Sequence, residues 1–276
     1  MSLLHVALVS EDSSISFQEL TAVSAALQKQ VLQDYSPIWG INATVNAFHS
    51  LNDVPVGTWP IVIMDDIGEP GAEGVHEDKD GHPIALVTFD DGWTLTASHE
   101  CIEMLTDPDG NRTMPGLSPK KSQGKVEFLV EPCDPSEDTP FAYKINNVLV
   151  SDFYTPHYFE PVVVPGVKYS FTGAITKPRQ VLKGGYLSWH DPVSDHWWQE
   201  TYFGGRRKYV NLGVLGRMDG SFRSQINRRT KAYYQKLEPT GKELQETSAM
   251  QKAVNKSSVS KAEIWRQRIK ELTGKK

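Results

Sequence analysis

The stretch "ASHECIEMLTDPDG", residues 97–110, decides the fold. With the residues before it, this stretch predicts a helix from about Thr94 to Thr106. The helix should end before Pro108, because a proline disfavours helical geometry in the preceding residue. One histidine and two glutamates lie close together on this helix. Their surroundings therefore determine whether the helix is a cation site or an ordinary structural element.

A helical wheel of about 100° per residue divides residues 94–107 into two faces. Apolar side chains occupy about two-thirds of the circumference, with Ser98 as the one polar residue among them, and such a helix is largely buried. The remaining arc should face solvent or a cleft. That arc contains Thr96, His99, Glu100, Glu103, Thr106 and Asp107.

The polar arc carries acceptors and metal ligands, and it has no Lys, Arg or Gln. His99 and Glu103, four residues apart, lie one turn from each other and suit the chelation of one cation. Glu100 lies further round the helix, where the general base of a zinc hydrolase reaches the attacking water without being a ligand. The alternative is an acidic helix face that arginine or backbone groups neutralise.

The residues before this helix predict a strand, a helix and three further strands. "LLHVALVS" predicts a buried strand, and residues 16–35 predict a helix that begins with a capping box of Ser16 and Glu19. "NATVNAFHS", "WPIVIMDDI" and "IALVTFDD" predict strands, whereas "GEPGAEGVHEDKDGHP" predicts a loop. This order indicates an α/β or α+β arrangement with a sheet beneath the helix at 94–106, and of the two an α+β fold with a mixed sheet is expected.

The remaining sequence predicts less regular structure. Residues 111–125 predict a loop, and "VEFLVEPCDP" predicts a strand that runs into a turn. Residues 1–135 therefore form a predicted α/β core with the helix of residues 94–106. A β- and loop-rich aromatic subdomain is expected at 136–234. Residues 235–276 predict a basic helical tail or linker.

Charge is distributed unevenly along the chain. Residues 204–276 contain 18 Lys and Arg against 6 Asp and Glu, whereas the preceding residues have a large acidic excess. This basic arm either contacts an anionic partner, protein or nucleic acid, or folds back on the acidic body. The two cysteines predict no disulfide framework and favour a reducing compartment, with a single disulfide between them as the alternative. No apolar run is long enough for a membrane span and no signal peptide is recognisable, so the expected location is the cytoplasm.

Three segments together resemble a known group of proteins. They are His99–Pro108 with its H-E-x-x-E-x-x-x-D-P pattern, Glu131–Pro135 ("EPCDP"), and "VSDFYTPHYF" at 150–159. In this order they resemble uncharacterised bacterial and phage-encoded proteins, and the buried H-E-x-x-E helix after the strands is similar to zincin-like metallopeptidases. The resemblance covers about residues 1–200. It implies an active-site helix under a twisted sheet whose edge strand holds the substrate.

The resemblance implies roles for individual residues. His99 and Glu103 would be metal ligands, and Glu100 would be the general base. For the third ligand Glu131 is preferred, Asp107 comes second and Asp134 third. Zinc is the expected ion, although a carboxylate in place of the second histidine also suits calcium or manganese.

Other histidines offer further candidates. His157 would complete the metal site if its loop returned to the cleft. His190 and His196, in the tryptophan-rich "SWHDPVSDHWWQ", suit a second cation site or a carbohydrate-stacking surface, or else the packing of a small β subdomain.

Two functions follow from these observations. The first is a metal-dependent, peptidase-like hydrolase that acts on a peptide or protein substrate. The second is a non-catalytic structural or interaction protein on the same scaffold, such as a virion or assembly component. In that case the basic arm would make the partner contacts, and the protein would be virion-associated if a phage encodes it.

Overall fold

A computed structural model describes residues 3–68, 73–79, 81–203, 205–216 and 220–235. The first half of the chain forms a five-stranded mixed sheet in the order β2-β1-β3-β5-β4. Its strands are parallel except β4, which runs antiparallel to β5 at the edge of the sheet. The predicted α+β class with a mixed sheet is therefore confirmed. The strands are β1 (Leu4–Ser10), β2 (Ala43–Phe48), β3 (Trp59–Met64), β4 (Gly74–Lys79) and β5 (His82–Thr88).

The first helix follows its predicted signals. Helix α1 (Phe17–Lys29) begins at Ser16, whose hydroxyl accepts a hydrogen bond from the backbone N–H of Glu19. A π-helical segment, Gln30–Tyr35, continues α1 into the short helix α2 (Ser36–Trp39). The helix ends because the next residue, Gly40, adopts a left-handed conformation that suits glycine.

Helix α3 (Trp93–Thr106) packs against the same sheet and is almost entirely buried. Its apolar face joins side chains of β1, β3 and α1 in the main hydrophobic core. Ser98, the polar residue on that face, donates a hydrogen bond to Gln30 and accepts one from the backbone N–H of Ser151. The apolar face predicted by the wheel is thus the face that holds the helix in the core.

Two predicted loops contain strands. The segment predicted as a loop before β5 includes β4, which pairs with β5 from Gly74 opposite Val87 to Lys79 opposite His82. The loop predicted at 111–125 includes β6 (Thr113–Leu117), which forms a hairpin with β7 (Lys125–Leu129). Both predictions were wrong because pairing with a neighbouring strand overrode the low strand propensity of these segments.

A second, antiparallel sheet follows in the order β12-β11-β10-β7-β6. An aromatic cluster that includes Phe128, Tyr154 and Trp189 packs against it. The division of the chain at residue 135 stays a prediction, and strands from both sides of that residue share this sheet. Its remaining strands are β10 (Tyr186–Asp191), β11 (His196–Thr201) and β12 (Lys208–Gly213), and a separate hairpin consists of β8 (Tyr143–Ile145) and β9 (Val148–Val150).

The basic arm begins with β12 and helix α4 (Phe222–Gln235). Phe222 and Ile226 pack α4 onto the second sheet, where Ile226 is fully buried. The helical tail predicted for 235–276 lies outside the described residues from 236 onward. Among the described helices, none has the length and apolar character to cross a membrane.

Candidate metal centre

Helix α3 presents His99, Glu100 and Glu103 on one side, as the wheel predicted. These side chains do not face open solvent: Glu103 is fully buried, Glu100 is 3% exposed and the His99 side chain is 11% exposed. His99 Nε2 lies 3.2 Å from Glu103 Oε2, one turn along the helix. The polar arc of α3 is therefore a buried cluster of a histidine and two carboxylates.

Strand β4 adds a second histidine. His76 is fully buried, and its Nδ1 lies 3.2 Å from Glu100 Oε2 and 3.8 Å from Glu103 Oε2. Gly74 makes this close approach feasible, because a Cβ there would lie 2.6 Å from Thr96 Cγ2 and 2.7 Å from Glu100 Oε1. Sequence reasoning missed His76 since its segment was predicted as a loop.

The turn after β7 supplies two further carboxylates. The backbone N–H groups of Cys133 and Asp134 both donate to Glu103 Oε1, at 3.1 and 3.3 Å. The other oxygen of Glu103, Oε2, faces both His99 and His76. Asp134 Oδ1 lies 3.3 Å from His99 Nε2, and Glu131 Oε2 lies 3.7 Å from His76 Nε2. The "EPCDP" turn thus adds the carboxylates of Glu131 and Asp134 to the cluster.

The separations match those of metal ligands. Ligand atoms about 2.0 Å from a tetrahedrally coordinated zinc lie about 3.3 Å from each other. Both distances from His99 Nε2, to Glu103 and to Asp134, are close to this value. Further sets of donor atoms lie within 4.8 Å of one another. They are His76, Glu100 and Glu103; Glu103, Glu131 and Asp134; His99, Asp134 and Glu137; and His99, Glu103 and Cys133.

The structure separates the three candidates for the third ligand. Asp134 contacts His99, and Glu131 belongs to a set with Glu103 and Asp134. Asp107 lies at the end of α3, where its Oδ1 accepts hydrogen bonds from the backbone N–H groups of Asn111 and Arg112. It belongs to none of the ligand sets formed by the described residues.

The other histidine candidates lie elsewhere. His157 is exposed, and its Nδ1 contacts Glu160 Oε1 at 2.6 Å. His190, on the second sheet, contacts Asp195, which is mostly exposed. His196 contacts Asn211. None of these three histidines belongs to a ligand set among the described residues.

Helix α4 places an arginine inside the cluster. Arg223 is 3% exposed, and its Nη1 donates to Asp134 Oδ2 at 2.8 Å. Its guanidinium also lies 3.5 Å from Glu103 Oε2 and 3.8 Å from Glu131 Oε2. Sequence reasoning allowed the basic arm to fold back on the acidic body but did not identify this residue.

Arg223 reaches the cluster because the start of α4 is fixed to the turn after α3. The backbone N–H of Arg223 donates to the carbonyl of Gly110, and the N–H of Phe222 donates to Asn111 Oδ1. Phe222 and Ile226 lie one helical turn apart and next to Arg223. This spacing is the sequence signal that could have predicted the packing of one face of α4 against the rest of the protein.

Burial and charge shift the acidities of these groups. Burial would raise the pKa of Glu103, but the charges of His99 and Arg223 hold it well below its usual value. Burial would lower the pKa of His99, but Glu103 and Asp134 raise it well above its usual value. Burial raises the pKa of Glu131 well above its usual value, although Arg223 opposes that shift. Glu103 is therefore a stable anion, whereas a charge on Glu131 is unfavourable.

Several buried polar atoms of the cluster lack hydrogen bonds within the described part of the chain. They include His76 Nε2, both carboxylate oxygens of Glu131, and Asp134 Oδ1. Buried polar atoms in folded proteins are usually satisfied, and each exception calls for an explanation. An imidazole nitrogen and carboxylate oxygens that make no hydrogen bonds are donor atoms of the kind that a divalent cation binds. The residues present therefore fit a metal ion.

The two cysteines do not alter this assignment. Both are free and buried, which agrees with the expected absence of a disulfide framework. Burial raises the pKa of Cys133 well above its usual value, so its thiol stays protonated, 3.8 Å from the backbone carbonyl of His99. Cys101 packs in the main core.

Comparison with known proteins does not extend the assignment. No family model matches the chain, and neither a curated protein nor a solved structure matches it. What the molecule contains is an α+β fold with buried His, Glu and Asp side chains around α3 that could hold a metal.

Proposed function

We propose that this protein is a metal-dependent hydrolase of the zincin-like type, with a peptide or protein as its substrate. The observation that carries the proposal is the position of His99 Nε2, 3.2 Å from one carboxylate of α3 and 3.3 Å from Asp134. The edge strand β4 contacts the same helix through His76, and the resemblance implies that such a strand holds the substrate. A general base next to the ligands completes the parts that metal-assisted hydrolysis requires.

The ligands that we propose are His99, Glu103 and Asp134. Glu103 Oε1 accepts two backbone hydrogen bonds and Asp134 Oδ2 accepts one from Arg223, while the other oxygen of each carboxylate lies near His99. Glu103 Oε2 also lies 3.5 Å from the Arg223 guanidinium. Fixed ligands of this kind define a site before an ion arrives. Glu131, the preferred third ligand in the sequence, remains a proposed additional ligand on the side of His76. Asp107 is proposed only to support the turn that follows α3.

Glu100 is the proposed general base. A bound divalent ion would polarise the scissile carbonyl and make a water molecule easier to deprotonate. Glu100 would accept the proton from that water and pass it to the leaving amine. His76, 3.2 Å from Glu100 Oε2, would hold the carboxylate in position. Zinc is the ion that we propose first, with manganese and calcium to be compared because most of the ligands are carboxylates.

Two substitutions test this proposal on the full chain. His99→Ala should remove stoichiometric zinc, measured by elemental analysis after dialysis. Glu100→Gln should retain zinc and lower peptide hydrolysis by about a hundredfold or more, since general bases contribute at least that much. Glu127→Gln, at an exposed position of the second sheet, is the control and should change neither quantity. Unchanged hydrolysis in Glu100→Gln would refute the hydrolase.

The burial of the site favours a second candidate function. Structural metal sites are closed, whereas catalytic sites keep one position open, and here Glu100 and Glu103 are almost inaccessible. The alternative is therefore a structural or assembly protein in which the ion stabilises the fold. The basic arm would then contact an anionic partner. This alternative expects zinc to bind and to raise the melting temperature, with no hydrolysis that depends on Glu100.

A further inference from the structure

The guanidinium of Arg223 lies among carboxylates that belong to the proposed metal site. It contacts Asp134 directly, and Glu103 and Glu131 lie within 4 Å of it. These are the same three residues that form one of the ligand sets. The positive charge of Arg223 therefore lies beside the same three carboxylates that a divalent cation would bind.

Two roles for Arg223 are consistent with these contacts, and they have opposite consequences. As a positioning residue, Arg223 would orient Asp134 towards the ion and strengthen metal binding, as outer-shell partners usually do. As a counter-charge, it would stabilise the carboxylates without metal and repel the ion, which would weaken metal binding. The burial of the cluster favours the counter-charge role, because repulsion between the guanidinium and a metal ion is screened little where water is excluded.

The counter-charge role also explains why the carboxylates tolerate burial. An isolated buried carboxylate is strongly unfavourable, and Arg223 is the only arginine or lysine among the described residues that forms ion pairs with Glu103, Glu131 and Asp134. Arg223 is one of several groups that position Asp134, because two backbone hydrogen bonds to Glu103 fix the turn that carries it and His99 Nε2 lies 3.3 Å from its Oδ1. Loss of Arg223 should therefore change the charge balance of the cluster more than it changes the positions of the carboxylates.

We propose that Arg223 and a divalent cation compete for the carboxylates of Glu103, Glu131 and Asp134, so that α4 regulates the occupancy of the site. This inference rests on the proposed metal binding. In the metal-free protein Arg223 neutralises the cluster and keeps α4 in place. An ion that enters the site must weaken these ion pairs, so any event that draws α4 away should increase the affinity for metal.

The test is the zinc affinity of the full chain, measured by titration calorimetry after treatment with a chelator. Arg223→Met should bind zinc at least tenfold more tightly than the unaltered protein. Arg223→Lys keeps the charge and should stay closer to the unaltered protein. Arg207→Met is the matched control, because Arg207 pairs with the buried Glu200 outside the site, and its zinc affinity should not change.

A second pair of variants keeps the test decisive if Arg223→Met does not fold. Glu131→Gln with Arg223→Met removes one buried charge of each sign, and its zinc affinity is compared with that of Glu131→Gln alone. The double variant should again bind at least tenfold more tightly. Equal or weaker binding would overturn the competition and assign Arg223 a positioning role. If the unaltered protein and all variants bind no zinc, the proposed metal site itself is wrong.

Discussion

Helix α3 carries two buried polar groups on different sides, and they differ in how their hydrogen bonds are satisfied. On one side Ser98 donates to Gln30 Oε1 and accepts from Ser151 N–H, while Gln30 Nε2 donates to the carbonyl of Ser151. On the other side His76 Nε2 and both oxygens of Glu131 have no hydrogen-bond partner among the described residues. The same helix thus holds one complete polar network and one incomplete cluster.

The difference separates a structural role from a binding role. A complete buried network joins the π-helical segment after α1, helix α3 and the chain after β9, and it needs no ligand to satisfy its hydrogen bonds. An incomplete cluster costs free energy in the metal-free protein, and a ligand that supplies the missing partners recovers it. A substitution in the complete network should therefore change stability equally with and without zinc. A substitution of a cluster residue should change how much zinc stabilises the protein.

The largest effect is expected in the complete network. Gln30→Ala should lower the free energy of unfolding by about 3 kcal/mol, because Ser98 and Ser151 lose their partner and a cavity remains. Chemical denaturation measures this loss, which should be the same with and without saturating zinc. Gln18→Ala, at an exposed position of α1, is the control and should change stability by less than about 0.5 kcal/mol. A loss confined to the zinc-bound protein would contradict the separation of the two groups.

An intermediate effect is expected where β4 crosses α3. Gly74→Ala places a Cβ within 2.7 Å of Thr96 and Glu100, so β4 must shift and take His76 with it. We expect a loss of about 1–3 kcal/mol in unfolding free energy, typical of overpacking, and a weaker zinc affinity. Gly124→Ala, which has open space around its Cβ, should change neither. Full stability in Gly74→Ala would show that β4 is not tightly packed on the cluster.

The sequence predicted the helix side of the site but not its surroundings. His99, Glu100 and Glu103 follow from the 3.6-residue period of α3, because a local period determines which side chains share a face. His76 was not predicted, since Gly74 and the charged residues after Val75 have low strand propensity. That segment is a strand because it pairs with β5, and this pairing cannot be read from the propensities of residues 74–79 alone.

Arg223 illustrates a second limit of sequence reasoning. The charge asymmetry indicated a basic arm that either contacts an anionic partner or folds back on the acidic body, but it did not distinguish among the 18 basic residues. Arg223 differs from the other basic residues because Phe222 and Ile226 pack on the second sheet and so bring its side chain into the cluster. The third ligand was ranked by analogy for the same reason, because the turn at 131–134 acquires its orientation from its contacts with α3.

The smallest effect is expected for Glu131, and it should have the opposite sign to that of Gln30. Burial raises the pKa of Glu131 well above its usual value, so at neutral pH, where the carboxyl group is ionised in the unfolded chain, the burial of Glu131 destabilises the metal-free protein. Glu131→Gln removes this cost and should raise the unfolding free energy by about 1 kcal/mol without metal. Zinc should then stabilise the variant less than it stabilises the unaltered protein. The exposed Glu127→Gln serves as control in the same denaturation series. A metal-free Glu131→Gln that is less stable than the unaltered protein would mean that Arg223 already satisfies Glu131, and the cluster would then be a structural network like that of Ser98.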